Sequence, residues 1–218
     1  MEKYPDGETY QKLYQRFYNG RSSRELIEFA GPIEGRSVLD LCGGDGRLSL
    51  EAIKLGARAV WLVDQEEKMI SGDSWRNPKV NIVVNKVELA LKEFIRTRDL
   101  FDHIFCQQAV NYWLNEKTAE LTAKVLRKDG VFAFNTFSRK PPAIPMIKKY
   151  EIDGKKFLEV SWLVGDLVHH VQEREGLPCH ITSFRWLSPE YLSEILRPYF
   201  SVTIKKEGNA SLYRCTRK

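Results

Sequence analysis

Residues 37–52, SVLDLCGGDGRLSLEA, decide how this chain folds. Apolar residues surround Asp40, small residues follow it, and a helical pattern begins near residue 46. This order predicts a buried strand, a tight turn and a helix. Glycines at such a turn let a ligand approach the backbone where a side chain would collide. Because ligands of open α/β sheets bind beyond the carboxyl ends of the strands, we expect residues 40–46 to form a binding site.

The pattern of a short apolar run followed by a helical segment repeats along the chain after this turn. We expect strands at 37–41, 59–64, 80–85, 101–107 and 130–137. We expect helices near 46–55, 66–71, 87–97 and 116–127. Strands that alternate with helices of this length indicate βαβ crossovers and a mostly parallel sheet.

The segments on either side of this core have different patterns. Two helices are predicted at 8–19 and about 22–31, and antiparallel strands follow at 149–187. Ser188-Pro189-Glu190 has the residues of a helix start, and a hairpin closes the chain. We predict one α/β domain, 1–218, with a Rossmann-like seven-stranded, mostly parallel sheet and helices on both faces. Its parts are an N-terminal helical lid (1–31), a core (36–137), a small antiparallel insertion after the fifth strand (149–187) and a closing helix and hairpin (188–218).

The composition excludes several classes of protein. Residues 139–218 hold 14 Lys+Arg and 9 Asp+Glu, which accounts for the whole net charge of +5. That bias could attract an anionic partner, but no run of five like charges occurs, so a solvated surface is the simpler interpretation. The four cysteines have no metal-ligand spacing. Free cysteines, no apolar signal core and no membrane-length apolar run predict a cytoplasmic protein without a membrane partner.

A second acidic residue indicates the kind of ligand. Asp64 ends the second predicted strand, 24 residues after Asp40, and a carboxylate there can accept both hydroxyls of a ribose. The dinucleotide pattern G-x-G-x-x-G needs its third glycine one residue later than Gly46. The sequence therefore favours a ligand that contains a nucleoside but not a dinucleotide.

Five segments, taken together, resemble the successive motifs of class I S-adenosylmethionine-dependent methyltransferases. They are VLDLCGGDGRLSLEA, AVWLVDQ, VNIVVNKVELA, FDHIFCQQAVNYWL and LRKDGVFAFNTF, and their order and spacing match from about residue 36 to 137. The first motif of that family usually reads D-x-G-x-G-x-G. Here Cys42 stands at the first glycine, while Gly44 and Gly46 are kept.

The resemblance implies a set of cofactor-binding residues. Asp40 and the backbone of 42–46 would hold the methionine portion, and Asp64 would hold the ribose. Gln65 would lie beside the adenosine, Asn85 near the adenine amino group, and Gln107 beside the sulfonium. With two N-terminal residues the candidates are Tyr18, Arg21, Asp40, Cys42, Gly43, Gly44, Gly46, Asp64, Gln65, Asn85 and Gln107.

The N-terminal stretch YQRFYNGRSSREL resembles the opening of small-molecule N-methyltransferases, such as those acting on glycine and amino sugars. In that family an N-terminal helix covers the site and an arginine pairs with the cofactor carboxylate. Arg21 is the matching residue, because a guanidinium can bind a carboxylate bidentately. Tyr14 and Tyr18 are candidates to line the methyl-transfer site. The alternative is an amphipathic helix that only packs its aromatic rings on the core.

Methyl transfer from a sulfonium is an in-line displacement, so positioning is the main contribution of the enzyme. A neutral amine needs little more, whereas a hydroxyl or an ammonium needs a base. The catalytic candidates are Tyr14, Tyr112, His169 and His170, and His180 is a further candidate. In a strand His169 and His170 point to opposite faces, so at most one should face the site. Shaping of the acceptor pocket is assigned to Trp162, Trp186 and Arg185, with packing between insertion and sheet as the alternative.

These observations predict a metal-independent methyltransferase that uses S-adenosylmethionine, releases S-adenosylhomocysteine and acts on a small-molecule N or O acceptor. No His or carboxylate cluster indicates a catalytic metal. After the fourth strand QQAVNYW replaces the Pro-Pro-aromatic signature of DNA amino-methyltransferases. Two alternatives stay open: an RNA or protein methyltransferase that uses the basic last third, and a cofactor-binding domain without catalysis. The sequence predicts no oligomeric state.

Overall fold

The structure is a computed structural model, and it describes residues 6–13, 21–208 and 210–218. Two N-terminal helices precede the core. Five strands then alternate with helices, as the apolar pattern predicts. The elements of this part are α1 (Gly7–Leu13), α2 (Arg21–Ala30), β1 (Ser37–Leu41), α3 (Arg47–Lys54), β2 (Ala59–Asp64), a 3-10 turn (Glu67–Met69), α4 (Gly72–Arg76), β3 (Val80–Val84), α5 (Val87–Thr97), β4 (Phe101–Cys106), α6 (Val110–Trp113), α7 (Glu116–Val125) and β5 (Leu126–Phe137).

The rest of the chain adds a second sheet and completes the first. Its elements are β6 (Met146–Ile152), β7 (Lys155–Val164), β8 (Leu167–Arg174), β9 (His180–Arg185), α8 (Pro189–Leu196), β10 (Phe200–Glu207) and β11 (Ala210–Arg217). Ser188 caps α8 by accepting a hydrogen bond from the Tyr191 backbone N–H, with Pro189 in the first turn, as the sequence predicts.

The main sheet has seven strands in the order β10-β11-β5-β4-β1-β2-β3. β1 to β5 pair in parallel, and β11 is antiparallel to both β5 and β10. This confirms the predicted Rossmann-like, mostly parallel sheet. The strand order reverses between β1 and β4, which is where ligands of open α/β sheets bind.

Helices cover both faces of this sheet, so every β1 side chain and most β4 and β5 side chains are buried. On one face α5, α7 and α8 pack Leu91, Phe94 and Leu192 against Phe101 and Phe132. On the other face α2 and α3 supply the apolar cover. Their core residues there include Leu26, Ile27, Leu48 and Ala52. The reversal point is thus held between two rigid layers.

The insertion is a separate four-stranded antiparallel sheet, β6-β7-β8-β9, and its strand register defines two faces. Side chains at 159, 161 and 163 lie beside those at 168, 170 and 172, and beside 180, 182 and 184. We call this the inner face, because Thr182 contacts Tyr112 and His180 contacts Tyr10 of α1. The opposite face, with Ile147 and Ile181, is called the outer face.

Two local predictions are wrong in detail. The stretch predicted as one helix at 66–71 is a 3-10 turn, and α4 follows it with Ser71 as its N-cap. Antiparallel pairing begins at Met146 rather than at 149. α1 matches the first part of the helix predicted at 8–19, and the remainder of that helix lies outside the described residues.

Candidate active site at the carboxyl edge of the sheet

Asp40 supports the glycine turn from below. Its side chain is 1% exposed, and Oδ2 accepts a hydrogen bond of 2.7 Å from Ser49 Oγ. A Cβ at Gly43 would lie 3.0 Å from that carboxylate oxygen and 2.7 Å from Leu62 Cγ. Burial raises the pKa of Asp40 to about 7. The carboxyl group therefore fixes the turn and α3, and it has little exposed surface for a ligand.

Three residues of the turn lie in the left-handed region of backbone space. The φ angles are 56° at Cys42, 54° at Gly44 and 80° at Gly46. The resembling family has glycine at the Cys42 position, and this φ explains why glycine suits it. A Cβ at Gly46 would overlap the hydroxyl of Ser74, which bonds the Asp45 carbonyl at 3.3 Å. The glycines thus allow α4 to pack closely and leave the backbone of the turn open to a ligand.

Cys42 is not suited to act as a nucleophile. The thiol contacts Cys106 at the end of β4, and this contact together with burial holds the pKa of Cys42 well above its usual value. A neutral thiol is a weak nucleophile and a weak metal ligand. Cys42 therefore serves as a small residue within the turn.

Asp64 links the ends of β1 and β2. Its Oδ2 accepts a 2.9 Å hydrogen bond from the backbone N–H of Gly44, and its Oδ1 accepts one of 2.9 Å from Glu66. Burial raises the pKa of this carboxyl group, and the two backbone donors oppose that shift. Each oxygen keeps a further lone pair, so the group can still accept hydroxyls of a ribose.

Gln65 and Asn85 lie next to Asp64 at the same edge. The Asn85 backbone N–H donates to the Asp64 carbonyl at 2.9 Å. The Asn85 side-chain oxygen accepts from the Lys86 backbone N–H, also at 2.9 Å, whereas Gln65 is exposed. The structure therefore brings these candidates together around the end of β2.

Gln107 fastens α2 to the end of β4. Its Oε1 accepts a 2.8 Å hydrogen bond from Ser23 Oγ, and its Nε2 donates one of 2.9 Å to Ser22 Oγ. These serines lie in the first turn of α2, directly after Arg21. Both polar ends of the amide are occupied by α2, so Gln107 can orient the start of that helix. The sequence shows a helix start at Ser22 and Ser23 but not this long-range pairing.

α1 lies across the same edge. A Cβ at Gly7 would overlap the Met69 carbonyl, so the helix packs closely on the 3-10 turn. Burial raises the pKa of Tyr10, and Tyr112, Asp45 and Asp64 are near enough to raise it further. Tyr10 therefore stays a neutral phenol near the cofactor edge. Of the other N-terminal candidates, Tyr14, Tyr18 and the side chain of Arg21 lie outside the described residues.

A bidentate ion pair supports the turn beneath α1. Arg47 Nη2 lies 2.8 Å from Asp45 Oδ2, and Nε lies 3.0 Å from Oδ1. Burial lowers the pKa of Arg47 to about 10, which leaves it charged at neutral pH. Asp45 and Arg47 were not assigned a role from the sequence, because their pairing depends on the conformation of the turn.

Tyr112 connects the cofactor edge with the insertion. Its hydroxyl lies 2.9 Å from Thr182 Oγ1, and its ring packs edge-on against Phe184. Phe137, at the end of β5, stacks on Phe184 with 5.5 Å between ring centroids. Tyr112 and Phe137 remain exposed beside this contact, so the three rings form an aromatic border where the insertion meets the cofactor edge.

The register separates the two neighbouring histidines. His170 pairs with Thr182 on the inner face. His169 is on the outer face, where it stacks on Trp162 and lies 3.0 Å from Ser183 Oγ. Of these two histidines, His170 is the one on the inner face.

The other insertion candidates are His180, Trp186 and Arg185. Burial lowers the pKa of His180 to about 4, so this inner-face residue is a neutral and weak base at pH 7. Trp186 packs in an apolar cluster with Leu163 and Phe184, and Arg185 lies over the Tyr191 ring. His180 packs edge-on against Tyr10 of α1 at the cofactor edge.

Two classes of site are not found among the described residues. Within them no group of three or more His, Cys, Asp or Glu side chains could hold a metal ion. No helix in the described part of the chain is long and apolar enough to cross a membrane.

Comparisons with known proteins agree with this geometry. A family model described as a methyltransferase domain matches residues 33–197, about three quarters of the chain. No curated protein gives a significant match.

Solved structures share the fold at low sequence identity. An S-adenosylmethionine-dependent methyltransferase from Clostridium acetobutylicum has a TM-score of 0.73 and 17% identity, over 96% of each chain. The S-adenosylmethionine-bound amino pentose methyltransferase CalS10 from Micromonospora echinaspora has a TM-score of 0.72 and 15% identity, over 94% of this chain and 97% of that one. The sugar N-methyltransferase KedS8 from Streptoalloteichus has a TM-score of 0.69 and 14% identity, over 100% and 97%.

The glycine turn, the acid at the end of β2 and the strand reversal fit a cofactor with a ribose and an amino-acid end. When bound, that cofactor supplies a sulfonium methyl group to an acceptor nucleophile. The family match covers these same elements. The chain belongs to the methyltransferase-domain family and is a class I S-adenosylmethionine-dependent methyltransferase.

Proposed function

We propose that the methyl acceptor is a small molecule with a nitrogen or oxygen nucleophile, bound between the cofactor edge and the inner face of the insertion. The observation that carries this proposal is the 2.9 Å contact between Tyr112 and Thr182. It sets the insertion directly over the residues that follow β4. Tyr10 and His180, with ring centroids 6.3 Å apart, bound the other side.

The groups around this space can orient a nucleophile and accept its proton. Tyr10, kept neutral by its raised pKa, can donate a hydrogen bond to an acceptor oxygen or nitrogen. A neutral amine attacks through its lone pair and loses its proton afterwards, so it needs positioning alone. A hydroxyl acceptor needs a base, and His170 is the candidate that the register turns towards Thr182.

Two structural neighbours support the choice of a small acceptor. Both an amino pentose methyltransferase and a sugar N-methyltransferase match nearly the whole length of this chain. Because their identity to it is about 15%, they suggest which acceptors to test first but do not assign one. Amino sugars therefore belong in the first panel of acceptors, beside simple amines, phenols and alcohols.

Methyl transfer from labelled S-adenosylmethionine to that panel, and to bulk RNA and protein, tests the proposal. We expect turnover of a small acceptor and weak RNA binding with a shallow salt dependence. Tight RNA binding that collapses with salt, with every small acceptor inert, would favour the polymer alternative. Binding of S-adenosylhomocysteine without methylation of any acceptor would favour the cofactor-binding domain without catalysis.

Two variants separate the cofactor and acceptor parts of the site. Asp64→Ala should weaken S-adenosylhomocysteine binding about tenfold or more, because hydrogen bonds to a charged acceptor are lost. Thr182→Val should raise the acceptor KM and leave S-adenosylhomocysteine affinity unchanged, because Thr182 contacts Tyr112 on the acceptor side. Titration calorimetry and initial rates measure the two effects. Equal effects of both variants on cofactor affinity would contradict the proposed division.

A further inference from the structure

The inner face of the insertion holds two buried polar side chains side by side. Glu159 on β7 is 4% exposed and Gln172 on β8 is 2% exposed, and the two residues are cross-strand neighbours. Glu159 Oε1 accepts a 2.7 Å hydrogen bond from the Tyr150 hydroxyl and one of 3.0 Å from Gln172 Nε2. Polar atoms buried to this extent cost free energy unless they are hydrogen-bonded, so each of them needs a partner.

The carbonyl oxygen of Gln172 lacks such a partner. Gln172 Oε1 is buried, and no donor among the described residues bonds it. The amide cannot be turned over to satisfy this atom, because its oxygen would then face the carboxylate of Glu159, which is an acceptor itself. The amide nitrogen therefore binds Glu159, and the carbonyl oxygen is an acceptor in search of a donor.

The side chain of Gln172 lies between the insertion and α1. On one side, His180 is its cross-strand neighbour and packs against Tyr10 of α1. Two residues along β8, Arg174 Nη1 donates a 2.9 Å hydrogen bond to the Lys12 carbonyl near the end of α1. Because α1 contacts the sheet on both sides of Gln172, the amide is in the layer where we place the methyl acceptor.

The strand register relates Gln172 to the contact at Tyr112. Thr182, which contacts Tyr112, pairs with His170, and Gln172 is two residues further along β8. Thr182 and Gln172 are therefore diagonal neighbours, and such pairs lie about 7–8 Å apart. This separation suits a molecule the size of one substituted six-membered ring, with its nucleophile beside Tyr112 and a second group at Gln172.

We propose that Gln172 and Glu159 form an acceptor subsite for a hydrogen-bond donor, a hydroxyl or an ammonium group, at the end of the acceptor remote from the methylated atom. The inference rests on the proposed function, because it requires a small acceptor in this layer. Gln172 Oε1 accepts from the donor. The nearby carboxylate of Glu159 favours a donor that is positively charged.

This subsite makes the enzyme selective. An acceptor that lacks the second donor leaves the buried Gln172 oxygen unpaired, and the free-energy cost of that atom counts against binding. Sites built to bond a substrate O–H or N–H reject analogues without that group more strongly than apolar pockets reject a change of size. We therefore expect discrimination by a polar group at the far end of the acceptor.

Three amines on one ring scaffold test the subsite. Cyclohexylamine has no second donor, trans-4-aminocyclohexanol has a hydroxyl opposite the amine, and trans-1,4-diaminocyclohexane has an ammonium group there. Calorimetric titration of each amine into protein saturated with S-adenosylhomocysteine measures binding without turnover. We expect at least one of the two compounds with a second donor to bind about tenfold or more tightly than cyclohexylamine. Which of the two binds more tightly distinguishes a hydroxyl from an ammonium group.

Two variants test the residues. Gln172→Met should remove the preference for a second donor and leave the affinities for cyclohexylamine and S-adenosylhomocysteine unchanged. Glu159→Gln should weaken the diamine more than the amino alcohol, because it removes the charge and keeps the shape. Glu173→Gln is the matched control, since Glu173 is exposed on the outer face of β8. Circular dichroism confirms that each variant is folded.

The outcomes separate this inference from the proposed function. Equal binding of the three amines to the wild-type protein, or a preference that survives Gln172→Met, would overturn the subsite even where a small acceptor is methylated. An equal loss of all three amines in Gln172→Met would also overturn it, because the residue would then have a structural role. If no small acceptor is methylated and none of the three amines binds, the proposed function fails and the subsite fails with it.

Discussion

The carboxyl edge of the main sheet and the insertion sheet differ in how they hold their functional groups. At the carboxyl edge, backbone conformation is decisive: residues 42, 44 and 46 have positive φ, and side chains pack against them from below. In the insertion, the candidate groups lie on regular strands, and alternation decides which face they occupy. The first arrangement tolerates few residue types, and the second tolerates many.

This difference has consequences for evolution of the site. A constrained edge retains the cofactor, which every member of the family shares. A regular sheet can exchange one inner-face side chain for another without loss of the fold, so it suits the acceptor, which varies. Single substitutions should therefore damage the two regions unequally, and four comparisons test this, ordered from the largest expected effect.

The largest effect should come from adding a methyl group to the glycine turn. Gly46→Ala and Gly165→Ala both place alanine in the left-handed region, with φ of 80° and 64°. That conformation costs about 1–2 kcal/mol for an L-residue. The new Cβ at 46 also overlaps Ser74, whereas nothing lies within 4 Å at 165. Overpacking adds about 1–3 kcal/mol at 46 alone.

Urea denaturation with and without S-adenosylhomocysteine measures this contrast. We expect Gly46→Ala to lose both stability and cofactor binding, and Gly165→Ala to lose only a little stability. Combining Gly46→Ala with Ser74→Gly should recover part of the loss. Equal losses at the two glycines would show that the turn is no more constrained than an insertion hairpin.

The next comparison concerns pH. Burial raises the folded-state pKa of Asp40 to about 7, so folding favours the protonated acid. The raised pKa destabilises the folded state at higher pH. This effect is absent below about pH 4, where Asp40 is protonated in both the folded and the unfolded state, and it grows to as much as about 4 kcal/mol as the pH rises to about 7. Asp40→Asn should thus stabilise the protein at pH 8 more than at pH 5. The same exchange at exposed Asp99 is the control.

Chemical denaturation at several pH values, from about 5 to about 8, measures this difference over the range in which the group titrates. If Asp40→Asn changed the free energy of unfolding equally at pH 5 and at pH 8, the Asp40 carboxyl group would already be ionised in the folded protein at pH 5.

The third comparison uses two ligands. 5′-Methylthioadenosine lacks the amino-acid end of S-adenosylhomocysteine. If Gln107 orients α2 and Arg21 towards that end, Gln107→Leu should weaken S-adenosylhomocysteine about tenfold and leave methylthioadenosine unchanged. Ser22→Ala/Ser23→Ala should act alike, and Ser201→Ala on β10 is the control. Parallel losses for both ligands would indicate a general loss of structure.

The sequence predicts the strand, turn and helix that build the constrained edge. The candidate cofactor residues are adjacent in the chain or end consecutive strands, so local patterns single out Gly44, Gly46 and Asp64 as candidates. Local patterns do not predict contacts between distant segments. The Gln107 amide pairs with serines 84 and 85 positions away, and no local pattern contains that pairing.

The sequence predicts the antiparallel strands of the insertion. It does not predict which face of that sheet meets the core. The alternation of residues places His169 and His170 on opposite faces without saying which face is inner. Long-range contacts decide it, such as those of Thr182 with Tyr112 and of His180 with Tyr10. A regular strand restricts its residue types less than a turn with special backbone angles does. For the same reason, its sequence reveals less about where each side chain lies.

The smallest effect should come from Cys42, the one departure from the family's glycine motif. Its φ of 56° costs about 1–2 kcal/mol, and glycine would remove that cost but add about 0.5–1 kcal/mol of unfolded-state entropy. Cys42→Gly should therefore change stability by less than about 1 kcal/mol. Asp153→Gly, at φ 51° in the insertion, should behave alike. Cys42→Val should destabilise the protein more than Cys42→Gly does, because a β-branched residue fits the left-handed region poorly.

S-Adenosylhomocysteine affinity, measured by calorimetry, should be unchanged in Cys42→Gly. A large gain in affinity would instead mean that cysteine at this position has impaired the cofactor site, which would favour a domain that has lost catalysis.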